Sequence, residues 1–305
     1  MKITLLGSLG HIGSIVAPAL LKDGHDVTII TTSQKRAAQI KELGANAAIG
    51  TMTDEDFLSR QFQNADVVYL MISGNSDGSI FENAKKQGQI FSNAVRKANV
   101  KNVVDLSSIG AYEPEAGSLY AYHFIEDKLR ELNDVNVAFV RPVGFYSNLY
   151  TNVQSIRQNH VIYSNIPEQT EGKRVSPIDI AKVVLKLLEQ TPEGKTIHYV
   201  YSDTFSMHQL IEMLKVSLPM PDLHFVQITD QEAENQLLSN GIPMSIAKSF
   251  VQMNAFQRNP EKLYEDLNRQ SPVAGHYKLT DFVQEFTASF NDQKPSGGSN
   301  TLVDK

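Results

Sequence analysis

The sequence predicts an α/β chain: a doubly wound parallel sheet followed by a smaller, mostly helical C-terminal lobe. Three observations predict it. Short apolar runs alternate with helical stripes as far as about residue 200. Glycines spaced G-x-x-G-x-x-G stand between the first apolar run and the first stripe. Val67–Ile72 is apolar without interruption, as a central parallel strand buried on both faces requires.

Taken in order, Ile3–Leu6 is a strand that stops at Gly7. Ile12, Ile15, Val16, Ala19 and Leu20 then fall at helical spacing across Ile12–Leu21. Pro18 lies inside that stripe, removes a backbone donor and is expected to kink the helix near Ser14. Val27–Ile30 is the next strand, which completes one βαβ unit. Ala37, Ile40 and Leu43 mark a helix, and Ala47–Ile49 a short strand. Thr53 begins a further helix, with Asp54, Glu55 and Asp56 suited to the positive end of its dipole. A long helix covers Ile80–Ala98, then come a strand at Val103–Leu106, a helix at Tyr120–Leu132 and a strand at Val137–Val140. Ser176-Pro177 caps a helix whose stripe is Ile180, Val183, Val184, Leu187 and Leu188. Ile197–Tyr201 is another strand.

Beyond residue 202 the pattern changes. Ser206 with Gln209 reads as a capping box opening a helix through Ser217, His224–Ile228 as a strand, and Thr280–Phe290 as a helix with Phe282, Val283, Phe286 and Phe290 on one side. The expected organisation is therefore a nucleotide-binding domain over 1–202, a substrate or lid lobe over 203–292 that takes in parts of 143–175, and a tail over 293–305.

Composition removes several function classes. There is no cysteine among the 305 residues, which excludes a disulfide scaffold, a thiol nucleophile and cysteine metal sites. The eight histidines show no metal-ligand spacing, so no metal is expected. A net charge of -6 argues against nucleic acid as a partner. No stretch reaches the roughly 18 apolar residues of a membrane span, and the N-terminal run is too short for a signal core. A cytoplasmic protein acting on a small molecule is expected, with a homodimer left open.

Gly7, Gly10 and Gly13 follow a strand and open a helix, the context a dinucleotide-binding turn needs. Gly7 permits the tight turn, Gly10 lets backbone approach a pyrophosphate, and Gly13 packs helix on strand. Leu9, His11 and Ile12 complete the loop, and the helix N-terminus favours phosphate. The second strand ends in Thr31-Thr32-Ser33-Gln34-Lys35-Arg36, without the acid that holds ribose hydroxyls in NAD enzymes. Thr32, Lys35 and Arg36 suit a 2′-phosphate, and Arg36 also suits stacking on adenine, so NADP(H) is favoured over NAD(H). Met52 is a candidate adenine contact. Ser73, Gly74 and Ser107, at strand ends, are candidate cofactor neighbours.

The glycine loop and Val104-Asp105-Leu106-Ser107-Ser108 resemble the short-chain dehydrogenase/reductase superfamily. His123-Phe124-Ile125-Glu126-Asp127-Lys128-Leu129, Ala138-Phe139-Val140-Arg141-Pro142, Phe145-Tyr146-Ser147-Asn148 and Val175-Ser176-Pro177-Ile178-Asp179-Ile180-Ala181 are similar to its atypical, NmrA-like branch. The resemblance extends to Lys278–Val283 and covers the chain to about residue 290. It implies a Rossmann domain, NAD(P)H, and either quinone reduction or redox sensing.

One departure shapes the reaction. None of the eleven tyrosines has lysine four residues on, so the Tyr-x-x-x-Lys pair of classical members is absent. Without that general acid, worth roughly 10²–10⁴-fold, a simple ketone is a poor substrate. A quinone, whose reduced oxygen is a weakly basic phenolate, is a better one. The expected activity is an NAD(P)H-dependent oxidoreductase passing hydride to a quinone-like or other conjugated acceptor; a non-catalytic NADP(H)-binding redox sensor is the alternative. His123, with Asp127 at i+4 to orient it, is the candidate catalytic residue. Ile109, Tyr112, His123, Phe145, Tyr146 and Asn148 are the candidate walls of the substrate pocket.

Overall fold

The computed structural model describes residues 1–72 and 79–292. The candidates Ser73 and Gly74, and the tail over 293–305, lie outside the described residues.

The alternating half folds as read. β1 (Lys2–Leu5), α1 (Gly13–Lys22), β2 (Asp26–Thr31), α2 (Gln34–Glu42), β3 (Asn46–Ile49), α3 (Glu55–Phe62), β4 (Val67–Met71), α4 (Ile80–Lys97), β5 (Asn102–Leu106), α5 (Ala121–Arg130) and β6 (Asn136–Pro142) follow one another. Pro18 sits on the exposed side of α1, and the helix runs on through it. Asp54 caps α3 by accepting from the Phe57 amide at 2.9 Å.

Between β6 and the last strand of the main sheet lie β7 (Gly144–Phe145), a 3-10 turn over Tyr146–Asn152, α6 (Val153–Asn159), β8 (Val161–Ser164), β9 (Gly172–Val175) and α7 (Pro177–Glu189). β10 (Lys195–Val200) then closes the sheet in the order β10-β6-β5-β4-β1-β2-β3, with every pairing parallel. The chain reverses direction across the sheet between β1 and β4, and the ends of those strands open the crevice in which doubly wound sheets bind ligands.

The remaining elements are β11 (Asp203–Phe205), α8 (Met207–Ser217), β12 (His224–Gln227), α9 (Asp230–Ser239), α10 (Met244–Gln257), α11 (Pro260–Leu263), α12 (Glu265–Gln270) and α13 (Leu279–Asn291). β7 and β11 flank β9 in a three-stranded sheet, and β8 pairs with β12. These strands are two to four residues long. β12 matches the strand read at His224–Ile228; the other four carry too little alternation to be read from sequence.

Three apolar clusters hold the molecule. One side of the sheet packs Ile3, Leu5 and Val104 against α1 and α7; the other packs Val68, Leu70 and Val103 against α3, α4 and α5. The third cluster joins Tyr146, Leu149, Ile156 and Ile162 to Phe205, Leu210, Leu214, Phe282 and Phe286. β11, α8 and α13 build the third cluster with residues from 146–162, while Phe256, Leu263, Tyr264 and Leu267 of α10–α12 return to the main core. Among the described residues no helix is long and apolar enough to cross a membrane.

Candidate functional site

The glycine loop is built as a cradle. Gly7 has φ +88°, a conformation that L side chains rarely adopt, and a Cβ there would press on the Met71 side chain. A Cβ on Gly13 would overlap the Ser8 carbonyl oxygen, and one on Gly10 would crowd the Gly7 carbonyl. Ser8 itself takes a positive φ of 53°. The Gly10 amide closes the turn onto the Gly7 carbonyl at 3.2 Å, and the Ser14 amide bonds the Gly10 carbonyl at 2.9 Å. Among the described residues the amides of Leu9, His11, Ile12 and Gly13 donate to nothing. The Ser8 hydroxyl is buried and likewise has no partner. A row of donors at a helix N-terminus that are unengaged among the described residues fits the diphosphate of a dinucleotide.

The residues expected to meet the adenosine end lie along β2 and α2. Thr32, Lys35 and Arg36 are exposed, and neither cation has an ion pair among the described residues. Ser33 caps α2 by accepting from the Arg36 amide, which holds the two cations in the first turn beside the strand end. Met52 is half-buried, and its carbonyl accepts from the Gln87 amide group at 2.8 Å.

Ser107 is placed differently from expectation. Its hydroxyl is buried and donates at 2.5 Å to Glu126 rather than facing the crevice. Glu126 also takes two bonds from Arg141 and one from Arg130. Arg141 in turn bonds the Tyr199 hydroxyl, which bonds Asp266. Burial pushes the Glu126 carboxyl up, but the Arg141 fork and the Ser107 bond outweigh it and leave the group below its ordinary range. This network ties α5, β6, β10 and α12 together beneath the site. The strand-end motif at 104–108 had signalled a cofactor contact; only the packing shows that α5 claims its hydroxyl.

His123 is half-buried on α5. Its Nε2 lies 3.1 Å from Asp127, as the i, i+4 spacing allows, and its ring stacks on Tyr120 at 4.5 Å.

One cavity, of about 230 Å³, opens beside the cradle. His11 of the glycine loop forms one edge. Tyr146 and Tyr150 come from the turn after β7, Ser176 from the start of α7, and Tyr277, Phe282 and Glu285 from the final segment. Tyr146 packs on Phe205, Phe282 and Tyr277 with ring centroids 5.0–5.6 Å apart. Burial raises the phenols of Tyr146, Tyr150 and Tyr277; for Tyr277 a bond to Glu285 adds to it.

The segment that carries Tyr277 is anchored by a buried carboxylate. Asp179 accepts from the Ser202 hydroxyl at 2.7 Å and from the Tyr277 amide at 3.1 Å, and Gly275 packs so close that a Cβ would strike it. Lys278 Nζ bonds the Ser202 carbonyl at 2.7 Å.

Of the expected pocket walls, Tyr146 lines this cavity, and so does His11 from the cofactor set; Ile109, Tyr112, His123, Phe145 and Asn148 do not. Ile109 is core, and the Tyr112 hydroxyl is held by the carbonyls of Lys262 and Leu263. Tyr150, Ser176, Tyr277 and Glu285 were missed as site residues. Ser176 was legible only as a helix cap, and Phe282 only as part of an apolar stripe. Among the described residues no group of three or more acids and histidines could hold a metal.

A family profile described as NAD(P)H-binding matches residues 7–191. The chain belongs to this NAD(P)H-binding family. The matched span begins at Gly7 and runs through α7, so it contains the cradle and five of the seven main strands, β2 to β6. Among curated relatives, the photosystem II assembly factor Ycf39 of Synechocystis is 23% identical over 70% of this chain, the match spanning 66% of that protein, just under two thirds. Among solved structures, the triphenylmethane reductase of Citrobacter has a TM-score of 0.75 at 15% identity, covering 94% of this chain and all of that one. An NADPH-dependent quinone oxidoreductase of Escherichia coli has a TM-score of 0.73 at 16% identity, covering 93% and 98%. At these identities the likeness establishes the shared fold alone and leaves the reaction and its acceptor to be argued from the site.

Proposed function

We propose that this member of the NAD(P)H-binding family is an NADPH-dependent reductase of quinone-like or other conjugated small molecules. The observation that carries the reading is the aromatic cavity that shares His11 with the diphosphate cradle. When bound, the reduced cofactor supplies a hydride to the acceptor. The amides of Leu9, His11, Ile12 and Gly13, free among the described residues, hold the diphosphate, and Lys35 and Arg36, without an ion pair among them, favour a 2′-phosphate over a bare ribose. The rings of Tyr146, Tyr150, Tyr277 and Phe282 give a flat acceptor apolar surface and exclude water from it.

The absent Tyr-x-x-x-Lys pair supports the same acceptor class, because a quinone needs no strong acid at its oxygen. The test is NADPH consumption with a panel of benzo- and naphthoquinones, beside titrations of NADPH and NADH. Saturable, protein-dependent oxidation is expected, with NADPH bound more tightly. Tight NADPH binding with rates at the uncatalysed background would reject the reductase reading in favour of a redox sensor.

A further inference from the structure

We infer that the Tyr146 hydroxyl is the donor that receives the acceptor's carbonyl oxygen, which makes the cavity selective for oxygen-bearing acceptors; this rests on the reductase reading above. Tyr146 is 2% exposed, and among the described residues its buried hydroxyl has no hydrogen-bond partner. Such a group destabilises the folded chain unless something completes it. The ring cannot swing the hydroxyl out to water: Phe205 and Phe282 stack on it and Tyr277 meets it edge-on. Its backbone is set by β7, which pairs with β9 immediately before it.

Two other polar groups of the lining are already engaged. The Tyr277 phenol is bonded to Glu285, and the Ser176 hydroxyl caps α7 by accepting from the Ile178 amide. Burial, with Asp203 nearby, holds the Tyr146 phenol in its protonated form. It therefore serves as a fixed donor and not as a proton source. In the reduction the conjugated acceptor gains two electrons and one hydrogen as hydride, and NADP⁺ is left. Negative charge gathers on the acceptor's oxygen, where the Tyr146 O–H stabilises it, and the product takes up the proton that completes the hydroquinone from bulk solvent as it leaves the cavity.

The test is Tyr146→Phe, which keeps the ring packing and removes only the hydroxyl, with quinone kcat/KM, NADPH affinity and Tm measured together. A fall of about 10–1,000-fold in kcat/KM, as for loss of one oxyanion donor, is expected, carried in kcat, with NADPH affinity unchanged and Tm equal or higher. Quinone turnover within about twofold of wild type would overturn the inference while leaving the reductase reading intact. A loss of turnover accompanied by a lower Tm or weaker NADPH binding would also overturn it, since the hydroxyl would then be structural. Wild-type protein that binds NADPH but reduces no quinone rejects the reading itself, and this inference with it.

Discussion

Glu126 and Arg141 meet in a two-bond fork: Arg141 Nε reaches Oε1 at 2.8 Å and Nη2 reaches Oε2 at 2.7 Å, both side chains buried. The pair joins α5 to β6, and Ser107 and Arg130 complete the carboxylate. Breaking such a pair leaves one buried charge unmatched, at about 3–5 kcal/mol. Glu126→Ala is therefore expected to lower stability by that amount in urea titrations. The carboxyl's lowered pKa gives the pH sign. Its contribution is present above the unfolded carboxylate range and disappears as pH falls through the folded value.

Asp105 lies two residues before Ser107 and behaves in the opposite way. It is 2% exposed, has no hydrogen-bond partner among the described residues, and burial with the Glu126 charge pushes its carboxyl well above the ordinary range. A raised carboxyl favours the fold below the unfolded pKa, and that advantage is lost as pH rises through the folded one. Asp105→Asn is expected to raise Tm at pH 7, with the gain shrinking toward pH 4. An equal gain at both pH values would contradict this account.

Gly13→Ala places a Cβ against the Ser8 carbonyl oxygen. The loop and the start of α1 must then shift, at about 1–3 kcal/mol. Calorimetry should show loss of NADPH binding, with Tm lowered by an amount that matches.

Lys35→Ala and Arg36→Ala remove exposed cations that have no ion pair among the described residues. Each is expected to weaken NADPH binding roughly tenfold, about 1.4 kcal/mol, leave NADH binding within about twofold, and steepen neither thermal nor urea unfolding. Equal losses for both dinucleotides would remove the 2′-phosphate assignment.

His123→Gln alters a half-buried ring that pairs with Asp127 and stacks on Tyr120 away from the cavity lining. Stability should change by no more than about 0.5 kcal/mol, and quinone turnover should fall less than for Tyr146→Phe. A larger fall would return the proton-donor role to this histidine.

By itself the sequence determined the parallel sheet, the helices between its strands, the cradle at Gly7–Gly13 and the family, because all of these rest on local signals. A run such as Val67–Ile72 has one buried solution, and a glycine between strand and helix has few uses. Capping at Ser176 and Ser206 was legible for the same reason: the side chain bonds its own next turn. Tertiary structure alone decided the pocket and the fate of the buried polar groups. Tyr146, Ser176, Tyr277 and Glu285 meet across 139 residues of chain, and no spacing rule links them. Ser107 looked like a ligand contact until α5 brought Glu126 within 2.5 Å. Which face a hydroxyl turns to, and whether anything there accepts its proton, depends on elements far away in sequence. Their mutual packing is set by burial of apolar area, which carries no direction of its own.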